Sequence, residues 1–285
     1  MSYQTLVSVD QLLSHLDDPY WVIVDCRFSL NDTERGRKDY RQAHIPGAVY
    51  AHLNEDLSSP HIPGTTGRHP LPPIDKLVAT FSSWGIASGL QVAAYDDYPT
   101  ASGAIAARLW WCLRWLGHDS VAVLDGGWLN WLHHGGPTRD GVEKRQARQF
   151  IPHLRPELLV TLDEVDHIRS DPAYRLVDSR SADRYRGENE TIDPVAGHIP
   201  GALSLPFAGN VGADGLFRPD DELKKQFASM LGDVPPQNTV FYCGSGVTAA
   251  HNLLAMQHAG LGEARLYAGS WSEWIVDPAR PVAKG

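Results

Sequence analysis

Along the chain, short apolar runs alternate with longer segments whose apolar residues recur every three or four positions. Residues 22–25 and 240–242 are short, apolar and rich in β-branched or aromatic side chains, and read as buried strands. Residues 77–84, 101–116 and 247–259 carry the three- and four-residue spacing of helices. Strands that alternate with helices predict an α/β fold with a mostly parallel sheet.

The pattern is written twice. Asp25-Cys26-Arg27, closing one apolar run, returns as Asp178-Ser179-Arg180. His44-Ile45-Pro46-Gly47-Ala48 returns as His198-Ile199-Pro200-Gly201-Ala202. Tyr95-Asp96 then matches Tyr242-Cys243, and Trp128 with Trp131 matches Trp271 with Trp274. Four matches in the same order, at drifting offsets, indicate two homologous domains that differ in loop length. The charged, apolar-poor stretch 135–156 separates them. The domains are therefore expected at 1–137 and 158–285, joined by a linker at 138–157.

A length of 285 residues suits two ordinary cores, and 42% hydrophobic residues suffice to fill them. The formal net charge of −9 argues against nucleic acid as a partner, because such binding depends on neutralising phosphates. Three cysteines are poor material for a disulfide framework and suit a reducing compartment. The first ten residues lack a cationic start followed by an apolar run, and Arg108 and Arg114 interrupt the most apolar region. These features predict a cytoplasmic protein with no membrane partner.

Cys243 carries the strongest chemical signal. An apolar strand runs into it, Gly244-Ser245-Gly246 follows, and a helix begins near Val247 and Thr248. A thiol there lies at the carboxyl end of a strand and faces the free N–H groups of a helix, a setting that favours thiolate. Gly244 and Gly246 allow successive N–H groups to turn inward as an anion nest. Cys26 aligns with Ser179, and Cys112 sits inside an apolar helix, so both read as core. A phosphatase loop would need Arg at position 249, which is Ala; no paired Cys or His flanks Cys243 to hold a metal; and a serine elbow would need Gly at 243. His44 and His198 lie in the duplicated block, including the half without a thiol, and read as structural. The two tryptophan pairs read as packing.

Together the Cys243-Gly-Ser-Gly-Val-Thr-Ala249 loop, the two His-Ile-Pro-Gly-Ala blocks and the paired Asp-x-Arg strands resemble the tandem rhodanese family over essentially the whole chain. The resemblance implies two tandem rhodanese-like domains, each a mostly parallel sheet flanked by helices. The first would be inactive, with Asp96 in the place of the thiol, and the second catalytic. It further implies a sulfurtransferase that takes sulfane sulfur onto Cys243 as a persulfide and passes it to cyanide or a thiol, in a ping-pong cycle without metal or organic cofactor. The acceptor class includes thioredoxin-like thiols.

The loop most resembles that of the 3-mercaptopyruvate-using members; thiosulfate-using members have cations where this chain has Gly244 and Ser245. The resemblance assigns the persulfide to the N–H groups of residues 243–248, including Gly244, Gly246, Val247 and Thr248. It assigns the donor's anionic group to Arg184, with Arg186 as a second candidate, since bidentate guanidinium pairing suits carboxylate or sulfonate. Arg180, repeated as Arg27, reads as support for the strand end. A proton relay would use Ser245 and His69, whose acidic partner is unassigned: the aligned residue is Asn54, with Glu55 and Asp56 beside it. Mercaptopyruvate-using members also place an arginine where this chain has Asp193, which leaves thiosulfate open as the donor. Two alternatives stand beside an enzyme acting on small donors: a persulfide carrier that hands sulfur to a partner protein, and a regulatory module, which the intact loop disfavours.

Overall fold

In a computed structural model, residues 2–97 and 102–285 are described. The chain divides into two compact units. Unit 1 comprises residues 1–59, 71–155 and 211–217; unit 2 comprises 60–70, 156–210 and 218–285. Each unit thus draws one short segment from the other half of the sequence.

Unit 1 contains β1 (Leu6–Val7), α1 (Val9–Leu13), β2 (Trp21–Asp25), α2 (Arg35–Gln42), β3 (Val49–Tyr50), α3 (Ile74–Ser83), β4 (Gln91–Tyr95), α4 (Ala104–Trp115), β5 (Val121–Leu124) and α5 (Gly127–His133). Its sheet is parallel throughout, in the order β1-β5-β4-β2-β3. Unit 2 repeats the plan with β6 (Leu159–Val160), α6 (Leu162–Ile168), β7 (Arg175–Asp178), α7 (Ala182–Arg186), β8 (Leu203–Ser204), α8 (Asp220–Leu231), β9 (Thr239–Tyr242), α9 (Thr248–His258), β10 (Arg265–Tyr267) and α10 (Ser270–Trp274). Its order, β6-β10-β9-β7-β8, is the same topology, again parallel throughout. The duplication in sequence is therefore a duplication in fold.

The strands and helices expected from periodicity are present, with ends shifted by a few residues. The helix expected from residue 101 runs as Ala104–Trp115; Ala101 lies outside the described residues. Every residue of α4 is buried, which explains its weak amphipathicity: a helix enclosed on all sides has no polar face to present. Helices α1 and α6 open with matching capping boxes. Ser8 accepts the Gln11 N–H, Thr161 accepts the Glu164 N–H, and each N3 side chain reaches back to its cap.

The repeated Asp-x-Arg blocks close the central strands. Asp25 takes the Arg27 backbone N–H at 2.9 Å and its guanidinium at 2.7 Å, while Arg27 also donates to Ala43 O at 2.6 Å. Asp178 and Arg180 repeat this, with Gly197 O as the second acceptor at 2.7 Å. Both arginines lie over a tryptophan, Arg27 at 4.4 Å from Trp128 and Arg180 at 4.9 Å from Trp271. A buried charge is tolerable only when paired and hydrogen-bonded, and here both conditions are met twice. His44 and His198 bond the carbonyls of Tyr40 and Tyr185 and stack on those same rings, as structural histidines should. Trp131, Trp271 and Trp274 are fully buried in the two cores. Among the described residues, no helix is long and apolar enough to cross a membrane.

Candidate active site

The site lies wholly in unit 2, at the carboxyl end of the central strand β9. Cys243 follows β9 directly and is 2% exposed. The chain turns at Gly246, where φ is +77°, and α9 starts at Thr248 with Val247 as its N-cap. That turn points the Gly246 N–H at Cys243 Sγ, 3.1 Å away. Glycine is required there: the φ is left-handed, and a Cβ would lie 2.3 Å from Ala268 O.

Neighbouring elements hold the loop from behind. The buried hydroxyl of Ser270, itself at φ +56°, accepts the Cys243 N–H at 3.1 Å and donates to Tyr267 O at 2.9 Å. The carbonyls of Cys243 and Gly244 accept the N–H groups of Trp271 and Ser272, both at 3.0 Å. Two carbonyl dipoles that would repel a thiolate are thereby committed to α10. Beneath the loop, Asn252 of α9 donates to Ser179 Oγ and Leu205 O, both at 2.9 Å, tying the helix to the end of β7.

His69 enters from the segment Pro60–Pro70, which clusters with unit 2. The backbone N–H of Arg68 donates to Ser272 Oγ at 3.0 Å. Gly67 lies so close that a Cβ would be 2.6 Å from Gly269 O. So held, His69 Nδ1 hydrogen-bonds Ser245 Oγ at 2.7 Å, with both residues buried. Of the acids considered for the relay, Glu55 pairs with Arg37 at 2.5 Å, and Asp56 accepts the His52 N–H at 2.7 Å. Burial pushes the Asp56 carboxyl up. Asn54 is exposed and donates its N–H to His52 Nδ1 at 3.2 Å.

Arg184 converges on the same loop: its guanidinium nitrogens lie 3.6 and 3.7 Å from where a Cβ on Gly244 would be. It is held by Glu190, through Nε at 3.0 Å and Nη2 at 2.9 Å, and by Asp193, through Nη2 at 2.9 Å. Arg186 instead pairs with Glu188 at the surface, at 2.7 Å. Cys26 and Cys112 are fully buried, and burial raises both thiols.

In unit 1 the equivalent place is filled by Asp96, whose carboxylate accepts the N–H groups of Gly103, Ile105 and Ala106 at 2.7, 2.8 and 3.0 Å. A side chain here supplies the anion to the start of α4. Burial pushes its pKa up to about 7, against those three hydrogen bonds.

A model of the rhodanese-like domain matches residues 8–134 and again 161–277. The chain belongs to the rhodanese family. It is 46% identical, over the full length of both chains, to a probable 3-mercaptopyruvate sulfurtransferase of Pseudomonas aeruginosa. It is 36% identical to a putative thiosulfate sulfurtransferase, SseB, of Mycobacterium tuberculosis, over 99% of this chain and 98% of that one. Among solved structures, the 3-mercaptopyruvate sulfurtransferase SseA of Escherichia coli superposes with a TM-score of 0.81 at 31% identity, covering 95% of this chain and all of that one. This rhodanese is accordingly a sulfurtransferase, working between a sulfur donor and a thiophilic acceptor.

Sequence reasoning missed three residues beside this loop: Arg68, Glu190 and Ser270. Arg68 pairs with Asp193 and lies against Gly244. Its guanidinium is held below the ordinary value first by burial; Cys243 opposes that shift, and Arg184 adds to it. Nothing in periodicity or repeat alignment could single it out, and only its place next to His69 was a cue.

Proposed function

We propose that the chain transfers sulfane sulfur through a Cys243 persulfide, with 3-mercaptopyruvate as the favoured donor and cyanide or a thiol as acceptor. The observation that carries this reading is the Cys243 sulfur, backed by the Gly246 N–H, two residues from the Ser245 that hydrogen-bonds His69.

In the first half-reaction the Cys243 thiolate attacks the donor's sulfur. The S–S bond forms as the donor's C–S bond breaks, leaving pyruvate enolate, and the proton from the donor thiol ends on the methyl carbon of pyruvate. Ser245 and His69 lie where they can carry that proton, and an imidazole suits the transfer near neutral pH. The negative persulfide then rests against the N–H groups of residues 244–248 at the start of α9, the Cys243 N–H being taken by Ser270 Oγ. In the second half-reaction the acceptor attacks the outer sulfur, and the pair of electrons in the S–S bond returns to Cys243. Arg184 binds the donor's carboxylate, and Arg186 is a second, outer contact. No metal or organic cofactor enters this scheme.

The domain boundaries proposed are 1–137 for an inactive half, 138–157 for the linker and 158–285 for the catalytic half. The physiological acceptor is placed among thioredoxin-like thiols, and the protein in the cytoplasm, where sparse unpaired cysteines stay reduced.

Thiosulfate is the second reading, because the arginine that mercaptopyruvate-using members place at position 193 to hold the donor's carboxylate is missing from this chain. The test is turnover with 3-mercaptopyruvate and with thiosulfate side by side, with cyanide as acceptor and Cys243→Ser as the blank. A preference for mercaptopyruvate is expected. A preference for thiosulfate overturns the donor assignment, and activity surviving in Cys243→Ser overturns the nucleophile.

A further inference from the structure

We infer that Arg68 and Arg184 together form the clamp for the donor's anionic group, and that Asp193 is the built-in counter-ion that limits this clamp to donors of single negative charge. The inference rests on the persulfide reading above and adds to it a binding residue and a selector.

Both guanidinium groups converge on one point. A Cβ on Gly244 would lie 2.6 Å from Arg68 Nη2 and 3.6 Å from Arg184 Nη2. Any side chain at position 244 would therefore push Arg68 aside, which gives a reason for glycine beside the nucleophile that has nothing to do with its φ. Two like charges this close repel, and Asp193 bridges them. Its Oδ1 pairs with Arg68 Nη1 and its Oδ2 with Arg184 Nη2. The Asp193 side chain is only 2% exposed, so this carboxylate is committed to the pair and not to water.

The remaining donors of Arg68 are not used up. Nη2 lies over the loop, and Nε is buried and has no hydrogen-bond partner among the described residues. A buried, unpaired N–H on a guanidinium is costly unless something fills it, and an oxyanion seated over Gly244 would do so.

The charge count around the loop gives the selectivity. Arg68, Arg180 and Arg184 face Asp178, Glu190 and Asp193 in one connected set of ion pairs. Three cations are matched by three carboxylates, leaving directional N–H donors but no surplus positive charge. Such a site orients a monoanionic carboxylate by fork geometry and gives little added attraction to a dianion such as thiosulfate. Removing the Asp193 charge would convert the neutral set to one of net charge +1.

Ping-pong kinetics make the test clean, because kcat/KM for each substrate reports only its own half-reaction. Arg68→Met should lower kcat/KM for 3-mercaptopyruvate roughly ten- to hundredfold, the range for losing a hydrogen bond to a charged group. The kcat/KM for cyanide should stay within about twofold. A merely structural role would lower both together, and that result, or no change in either, overturns the clamp. Should Arg68→Met fail to fold, Arg68→Lys keeps the charge without the fork, and a loss of donor kcat/KM alone is still required. Asp193→Asn should raise the thiosulfate-to-mercaptopyruvate ratio of kcat/KM about tenfold, by analogy with one gained charge contact; an unchanged or lower ratio overturns the selector. Absence of transfer from either donor by the wild-type protein would instead refute the persulfide reading itself.

Discussion

Replacing Gly246 by alanine tests the loop most directly, because two independent costs can be worked from the structure. The first is conformational: at φ +77° a side chain costs about 1–2 kcal/mol. The second is steric: the new Cβ would lie 2.3 Å from Ala268 O, a backbone atom that cannot rotate away, and overpacking of this kind costs about 1–3 kcal/mol. Together they predict a loss of roughly 2–5 kcal/mol, or a fall in Tm on the order of 10 °C for a domain of this size. Gly260→Ala separates the two terms. That glycine also has a positive φ, +71°, but no atom lies within 4 Å of its added Cβ. It should lose only the first term, roughly 5 °C. Relief of the clash at position 246 requires the loop to move, which carries the Gly246 N–H off the Cys243 sulfur. Persulfide formation, followed by stopped flow with either donor, should therefore slow roughly ten- to hundredfold in Gly246→Ala and not in Gly260→Ala. Equal Tm losses in the two variants would show that the Ala268 contact contributes nothing. Wild-type persulfide formation in Gly246→Ala would refute the cradle.

Two further outcomes are expected. Cys26→Ser and Cys112→Ser should each keep the rate of sulfur transfer while losing about 1–3 kcal/mol of stability, since each places a hydroxyl in a fully buried site; loss of transfer in either would end the single-nucleophile scheme. Asp96 has its pKa raised in the folded state to about 7 from the ordinary 3.8, so its proton is held more tightly folded than unfolded. Its contribution to stability is therefore complete below about pH 4 and is lost as pH climbs through 7, by a few kcal/mol. The difference in unfolding free energy between wild type and Asp96→Asn, measured in urea from pH 4 to 8, should fall with pH, and a flat difference would refute that account.

Much of this protein was legible from its sequence because the physics behind it is local. Runs of β-branched residues make strands, three- and four-residue spacing makes helices, and a repeated order of motifs reports a repeated order of strands. The Asp-x-Arg blocks were readable as strand ends because the carboxylate and guanidinium are two residues apart and meet within one turn of chain. Cys243 stood out because strand, Gly-x-Gly and helix are contiguous, so the thiol's surroundings are encoded beside it. The tertiary structure alone decided what comes from a distance. It brought the segment Pro60–Pro70 into unit 2, across a long stretch of intervening chain, and so set His69 on Ser245 and Arg68 on Gly244. It also turned Asp193 from an apparent misfit into the carboxylate that bridges two arginines. No periodicity carries such pairings, because an ion pair depends on where two chains end up and not on the spacing within either. The sequence determined the fold and singled out Cys243; the folded chain determined which charges surround it.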